Sequence, residues 1–207
     1  MKSNSQAFPA TTHNRAMSRL KKIAQRLHAP SWLFDYSLTL VMDIPLLTSD
    51  KDSASNYTVR PASINDLSDL ALCRQMDDIE KGAELFKERL VQDARCYVVH
   101  DSEKLLLGYA WVMRSGILFE DDDRLRITTR PNGAYIFDTF LHPKARGKGL
   151  YTILIAGLQQ DMVSQGKTEF HVLVDQENTT SIKAHKKLGA TICETSKYTT
   201  ILGLSWY

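Results

Sequence analysis

The chain has 207 residues, 43% of them hydrophobic and 24% charged, and a formal net charge of +2. That balance excludes a disordered or collagen-like chain, and the length supports a core that needs no disulfide or structural metal. A net charge so near zero gives no ground for a nucleic-acid partner.

From residue 1 to 34 the chain carries Lys2, Arg15, Arg19, Lys21, Lys22 and Arg26 and no acid, which leaves the remainder net negative. Met17, Leu20, Ile23, Ala24 and Leu27 recur at helical spacing, with Arg15, Arg19, Lys22 and Arg26 on another face. The pattern predicts a basic amphipathic helix over 15–28, stopped by Pro30. Such a helix either docks its apolar stripe on the main domain or lies on a polyanion or anionic membrane surface. Residues 39–42 suit a strand and 48–56 a linker. The reading is an N-terminal extension over 1–56 and a main domain over 57–207.

In the main domain, 57–61 reads as a strand. Ser63 is an N-cap with Asp66 in the capping-box position, ahead of a helix carrying Leu67, Leu70 and Cys73. A second helix is expected over 77–93, then a hairpin of 96–100 and 104–113 around the turn 101–103. The acidic run 120–123 reads as an exposed loop. A strand over 133–142, a helix over 150–163, a strand over 170–174, a helix over 180–188 ended by Gly189, and closing strands over 191–202 complete the order. The fold class is α/β (α+β), a mixed, mostly antiparallel central sheet with helices on both faces.

Cys73, Cys96 and Cys193 form no CxxC, and no histidine pair has zinc spacing; His100, His142 and His171 have no partners at ligand spacing. The expectation is a reduced compartment and no metal. No apolar run reaches the ~18–20 residues of a membrane span, and the N-terminus lacks the layout of a secretory signal. A cytoplasmic protein is expected, with the basic helix as its means of touching the inner membrane face.

The richest stretch is Phe137-Asp-Thr-Phe-Leu-His-Pro-Lys-Ala-Arg-Gly-Lys-Gly-Leu-Tyr151. A strand ends near Pro143, Gly147 and Gly149 follow, and a helix begins at once. Backbone amides freed of side chains by glycine at a helix N-terminus make an anion cradle, and Arg146 and Lys148 add positive charge. A Walker A loop is absent, and the dinucleotide fingerprint lacks its third glycine.

Arg146-Gly147-Lys148-Gly149-Leu150-Tyr151 resembles the Arg/Gln-x-x-Gly-x-Gly/Ala loop of the GCN5-related N-acetyltransferases (GNATs), departing at its sixth position. Asn178, Ser181 and Lys187-Leu188-Gly189-Ala190 resemble that superfamily's second signature, with Ala190 in place of phenylalanine. The resemblance runs from about residue 57 to the C-terminus. Phe137-Asp-Thr-Phe, the loop itself and Gly108-Tyr-Ala-Trp111 are similar to the branch met near exopolysaccharide genes.

The resemblance implies acetyl-CoA (acyl-CoA) as co-substrate and no metal. Thr139, Phe140 and Leu141 would pair with the pantetheine arm as an added strand would. The amides of Arg146, Gly147, Lys148, Gly149, Leu150 and Tyr151 would hold the pyrophosphate. Asn178 would hydrogen-bond the pantetheine, and Ser181 begins the helix beside it. The amide near Leu141 would polarise the thioester carbonyl. His185 stands where many members carry the tyrosine that protonates the departing thiolate, and Tyr198 is a second candidate acid. The alternative for His185 is an ordinary surface histidine whose pKa is lowered by Lys183, Lys186 and Lys187. Asp138 is the candidate base, placed by strand alternation opposite Phe137 and Thr139, or else paired with a nearby arginine or lysine. Trp111, Tyr109 and Tyr135 wall an acceptor pocket or fill the core.

The expected activity is N-acetyl transfer to a primary amine, on a small molecule or a peptide, by direct attack in a ternary complex. Two rivals stand beside it. One is a long-chain or acyl-carrier-protein-dependent N-acyltransferase that docks the acidic carrier on residues 15–28. The other is a non-catalytic acyl-CoA-binding module. The oligomeric expectation is a monomer or homodimer.

Overall fold

The computed structural model describes residues 21–23, 34–47, 56–91, 94–120, 125–202 and 204–206. In chain order its elements are β1 (Phe34–Asp43), β2 (Tyr57–Pro61), α1 (Leu67–Cys73), α2 (Ile79–Val91), β3 (Ala94–Asp101), β4 (Leu106–Met113), β5 (Ile117–Glu120), β6 (Leu125–Thr128), β7 (Gly133–Leu141), α3 (Leu150–Ser164), β8 (Glu169–Asp175), α4 (Thr179–Lys187), β9 (Thr191–Ile201) and β10 (Leu204–Trp206). Eight strands form one sheet in the order β10-β9-β1-β8-β7-β4-β3-β2. Within it only β7 and β8 run parallel. β5 and β6 form a separate hairpin.

Each face of the sheet buries one apolar set, because side chains alternate along every strand. On one face Leu154, Leu158 and Met162 of α3 pack against Met42, Val99, Ile136 and Val172. On the other, Leu70 of α1 and Phe86 of α2 pack against Val98, Trp111, Tyr135 and Phe137. α3 is buried nearly all round, as a helix lying along a sheet centre must be. Tyr109, Trp111 and Tyr135 take the core alternative, each with 3% or less of its surface exposed. Among the described residues no helix is long and apolar enough to cross a membrane.

The helix entered at Ser63 starts as its sequence predicts. The Ser63 amide donates to Asp66 Oδ2 at 2.6 Å, and Ser63 Oγ accepts from the Asn65 amide. The Arg60 guanidinium bonds both Asp66 oxygens, at 2.9 and 2.6 Å, and holds that carboxyl well below the usual carboxylate range.

Two features depart from the sequence reading. The boundary expected near Tyr57 does not follow the sheet, since β1 lies between β8 and β9 as one of its inner strands. After β1 the chain crosses the outside of α3, where Gln159 clamps it. Gln159 Oε1 accepts from the Leu47 amide at 2.9 Å and Nε2 donates to the Pro45 carbonyl at 3.0 Å. The second is the β5–β6 hairpin, in which Glu120 of the acidic run ends β5 and pairs with Leu125; residues 121–124 lie outside the described residues. So does most of the basic helix expected over 15–28, of which 21–23 are helical.

Candidate active site

β7 and β8 pair only from Gly133 opposite Glu169 to Ile136 opposite Val172. β7 continues beside β4 as far as Leu141 opposite Gly108. Among the described residues nothing pairs with 137–141 on the side that β8 has left. A bulge marks the point of parting. Trp111 faces Phe137 and Tyr109 faces Phe140, so Asp138 and Thr139 together oppose Ala110. Asp138 takes a positive φ of 37° there. Beyond the bulge the His142 amide donates to the Leu107 carbonyl at 2.9 Å. Alternation along the ladder then turns the Leu141 amide into the gap.

The chain leaves β7 through a tight turn, Pro143–Ala145, which the buried Ala145 fixes to the core. Arg146 folds back: its Nε donates to the Leu141 carbonyl at 3.0 Å and its guanidinium lies 5.6 Å above the Phe140 ring. Gly147 and Gly149 have φ of 76° and 74°, and a Cβ on either would meet nothing within 4 Å. Gly149 is the N-cap of α3, and no side chain caps that end. The first amides of a 15-residue helix thus face open space with the positive end of its dipole behind them.

α4 packs beside α3, with Ile182 and Leu188 against the same apolar set. Asn178 caps it, Oδ1 accepting from the Ser181 amide at 3.0 Å, so the side chain's N–H donors are what it can offer a ligand carbonyl. Tyr151 in the first turn of α3 reaches across to His185 of α4, the rings edge to face at 5.3 Å and the hydroxyl bonded to Nε2. His185 Nδ1 lies 2.8 Å from the Ser181 carbonyl, an acceptor only, so Nδ1 carries the proton and Nε2 accepts from Tyr151. His185 is 4% exposed. Burial lowers its pKa, where the sequence reading had assigned that effect to neighbouring lysines. Burial likewise raises the Tyr151 hydroxyl above its ordinary value. Thr139 Oγ1, on the unpaired edge, is buried without a hydrogen-bond partner.

Asp138 projects to the other face. The bulge sets it on the same side as Phe137, against the expected alternation. Both of its oxygens are taken up by guanidiniums, Oδ1 by Arg74 and Oδ2 by Arg89. Arg74 also donates to the Tyr109 hydroxyl at 2.6 Å. Burial works against the Arg74 charge, but Asp138 and Tyr109 outweigh it and raise its pKa above the ordinary arginine value. The Arg89 guanidinium lies over Phe86, Trp111 and Phe137 at 5.5–5.8 Å. Nothing in the spacing of Arg74 and Arg89 along the chain marks them as partners of Asp138.

The structure therefore gathers Thr139, Phe140, Leu141, the 146–151 loop, Asn178, Ser181 and His185 around one gap, and places Asp138 behind it. The Tyr198 side chain lies outside the described residues. A cleft of about 700 Å³ beside the loop takes in His142, Lys144 and Lys148 but neither Tyr151 nor His185. An unpaired strand edge with an orphaned hydroxyl, ending at an uncapped glycine-built helix start, fits a thioester carrier with an amide-bearing arm and a diphosphate.

A family model described as the acetyltransferase (GNAT) family matches residues 65–190. Among solved structures, a tandem GNAT protein from the clavulanic acid biosynthesis pathway shares the fold with a TM-score of 0.58 at 14% identity, covering 82% of this chain and 55% of that one. A functionally unknown conserved protein from Staphylococcus epidermidis gives 0.56 at 13% identity, over 87% of this chain and 64% of that one. An aminoglycoside 6'-N-acetyltransferase from Acinetobacter baumannii gives 0.51 at 18% identity, over 67% and 92%. The chain thus spans less than two thirds of the first two. A search of curated proteins by sequence finds no match.

Proposed function

The chain belongs to the GNAT acetyltransferase family, and from that premise we propose that it is an acyl-CoA-dependent N-acyltransferase that moves acetyl from acetyl-CoA to a primary amine by direct attack. The observation that carries this reading is the parted β7–β8 pair ending at the uncapped start of α3. The unpaired edge of Thr139, Phe140 and Leu141 would hold the pantetheine arm, the amides of 146–151 the diphosphate, and the Asn178 N–H donors a pantetheine carbonyl. Acetyl-CoA supplies the activated acyl group as a thioester.

The protein's own residues align the two reactants, a service that replaces about 7–11 kcal/mol of barrier in well-oriented systems. The Leu141 amide, turned into the gap, is the donor for charge growing on the carbonyl oxygen. Tyr151 is the group that faces the departing sulfur. Its single O–H, raised in pKa and held by His185 Nε2 at rest, turns to the sulfur as the thiolate forms, and the phenolate left behind regains its proton from water. His185, whose Nε2 lone pair accepts from Tyr151, is the partner of the acid here, not the donor itself. Asp138 is occupied by two arginines and serves as the anchor of the bulge. The amine's proton goes to water. Small-molecule amines are the acceptor class that aminoglycoside-acetylating neighbours of this fold illustrate.

The test is a thermal shift with CoA and acetyl-CoA, followed by thiol release across a panel of amines. Gly149→Asp places a charge in the cradle and should abolish the shift. Undiminished CoA binding by that variant overturns the loop assignment, and CoA binding with no thiol release on any amine converts the protein into a binding module.

A further inference from the structure

Asp43, His171 and Cys193 stand 128 and 22 residues apart in sequence, on three adjacent strands, and converge on one point of the sheet. Asp43 of β1 and His171 of β8 are direct cross-strand partners, with Nδ1 2.7 Å from Oδ1. Cys193 reaches the same face through a bulge in β9. Val41 faces Glu194 and Met42 faces Ile192, so Cys193 is the additional residue between them. Bulges of this kind re-aim a side chain. One ligand atom from each of the three lies within 4.8 Å of the other two.

We propose that these residues bind a divalent transition metal of the zinc class, through Asp43 carboxylate, His171 Nδ1 and Cys193 thiolate, with a water as the fourth ligand. The donor set is the oxygen, nitrogen and sulfur mixture that zinc takes in tetrahedral sites. The site would be electrically neutral, one dication against one carboxylate and one thiolate.

A hydrogen-bonded Asp–His pair alone would leave two observations unexplained. His171 is 2% exposed, yet its Nε2 has no hydrogen-bond partner. That nitrogen faces Glu169 Oε2 at 3.7 Å, and Glu169 is itself held by Arg130 at 3.4 Å. A metal on Nδ1 moves the imidazole proton to Nε2, where a carboxylate waits for it, the usual outer partner of a metal-bound histidine. The bulge that aims Cys193 is the second observation. Cys193 Sγ, brought to this face by the bulge, meanwhile donates to the Val41 carbonyl at 3.3 Å.

Binding therefore balances simply. The imidazole changes tautomer without losing a proton, the thiol loses one, and each metal bound releases about one proton. The three ligand strands are β8, β1 and β9, and β1 is the strand by which β9 and β10 join the sheet. The metal would clip that junction, a role independent of acyl transfer.

The experiment uses the full chain, stripped with a chelator and titrated with Co²⁺. The expected result is saturation at one equivalent, a near-ultraviolet thiolate-to-cobalt charge-transfer band, and displacement by Zn²⁺. Calorimetry in two buffers should read about one proton released. Cys193→Ser loses the band while Cys73→Ser keeps it, and Asp43→Asn, altered at a half-exposed side chain, weakens binding at least tenfold. A band that survives Cys193→Ser, or binding that never saturates, overturns the proposal.

Discussion

The Tyr151 hydroxyl donates to His185 Nε2 across the gap between α3 and α4. The family's sixth loop position is ordinarily a residue too small to cross that gap, and the family's tyrosine comes from the α4 side. Here α3 provides the phenol and α4 the acceptor that holds it. Each substitution, taken alone, reads as a defect, yet together they restore a phenol between the two helices.

If this phenol protonates the leaving thiolate, Tyr151→Phe lowers kcat by about 10²-fold or more, the lower range of acid–base assistance. KM for acetyl-CoA changes little, because the ring and its packing stay. His185→Gln keeps an acceptor beside the hydroxyl and costs less than Tyr151→Phe. Steady-state thiol release checks the order, and full kcat in Tyr151→Phe removes the phenol from the chemistry.

Burial lowers the His185 pKa, so between its folded value and the ordinary ~6.5 the unfolded chain binds more protons than the folded one. Stability from this residue is complete above about pH 6.5 and declines as pH falls below it. His100, also lowered chiefly by burial, adds a decline of the same sign. Urea midpoints across this range should therefore drop less steeply with acid in His185→Gln than in the wild type. Equal slopes would mean that His185 titrates alike in both states.

Asp138 with its two arginines gives a separate test. Asparagine tolerates positive φ almost as well as aspartate, so Asp138→Asn removes the charge and leaves the bulge its preferred residue. Two guanidiniums then face one another without a counter-charge. Breaking a fully buried pair costs about 3–5 kcal/mol. Arg74 is 40% and Arg89 29% exposed, so solvent screening reduces the expected loss to about 1–3 kcal/mol. Denaturant unfolding reads it directly. A catalytic base at this position would instead lose kcat with its stability intact.

The loop, the order of elements after Tyr57 apart from the β5–β6 hairpin, and the capping box at Ser63 were legible because each is local. Glycine spacing, helical periodicity and a Ser-x-x-Asp pattern act within a few residues. What the chain order hid is long-range. The Tyr151–His185 contact joins helices 34 residues apart, and Asp138 finds Arg74 and Arg89 at separations of 64 and 49. The bulge at Asp138 reversed an alternation that holds on either side of it. His171 had no ligand-spaced neighbour in sequence because its companions come from adjacent strands, where spacing along the chain carries no signal.

The place of β1 gives the sharpest structural prediction. In the sheet order β9 touches β1 and β10 only, so nothing but β1 ties the C-terminal strands to β8. β1 also buries Leu38, Leu40, Val41 and Met42. At about 1.5–3 kcal/mol for each such side chain, these four account for roughly 6–12 kcal/mol. That is the scale of a whole domain's stability, about 5–15 kcal/mol. A chain beginning at residue 57 should therefore lose cooperative unfolding and bind a hydrophobic dye, although it keeps every residue of the loop and of α4. Gln159→Leu, which releases only the clamp on residues 45–47, should cost about 1–3 kcal/mol and leave the transition cooperative. If the shortened chain unfolds cooperatively with CoA still bound, β8 and β9 must close on each other directly, and the sheet order described here is not the one that supports the site.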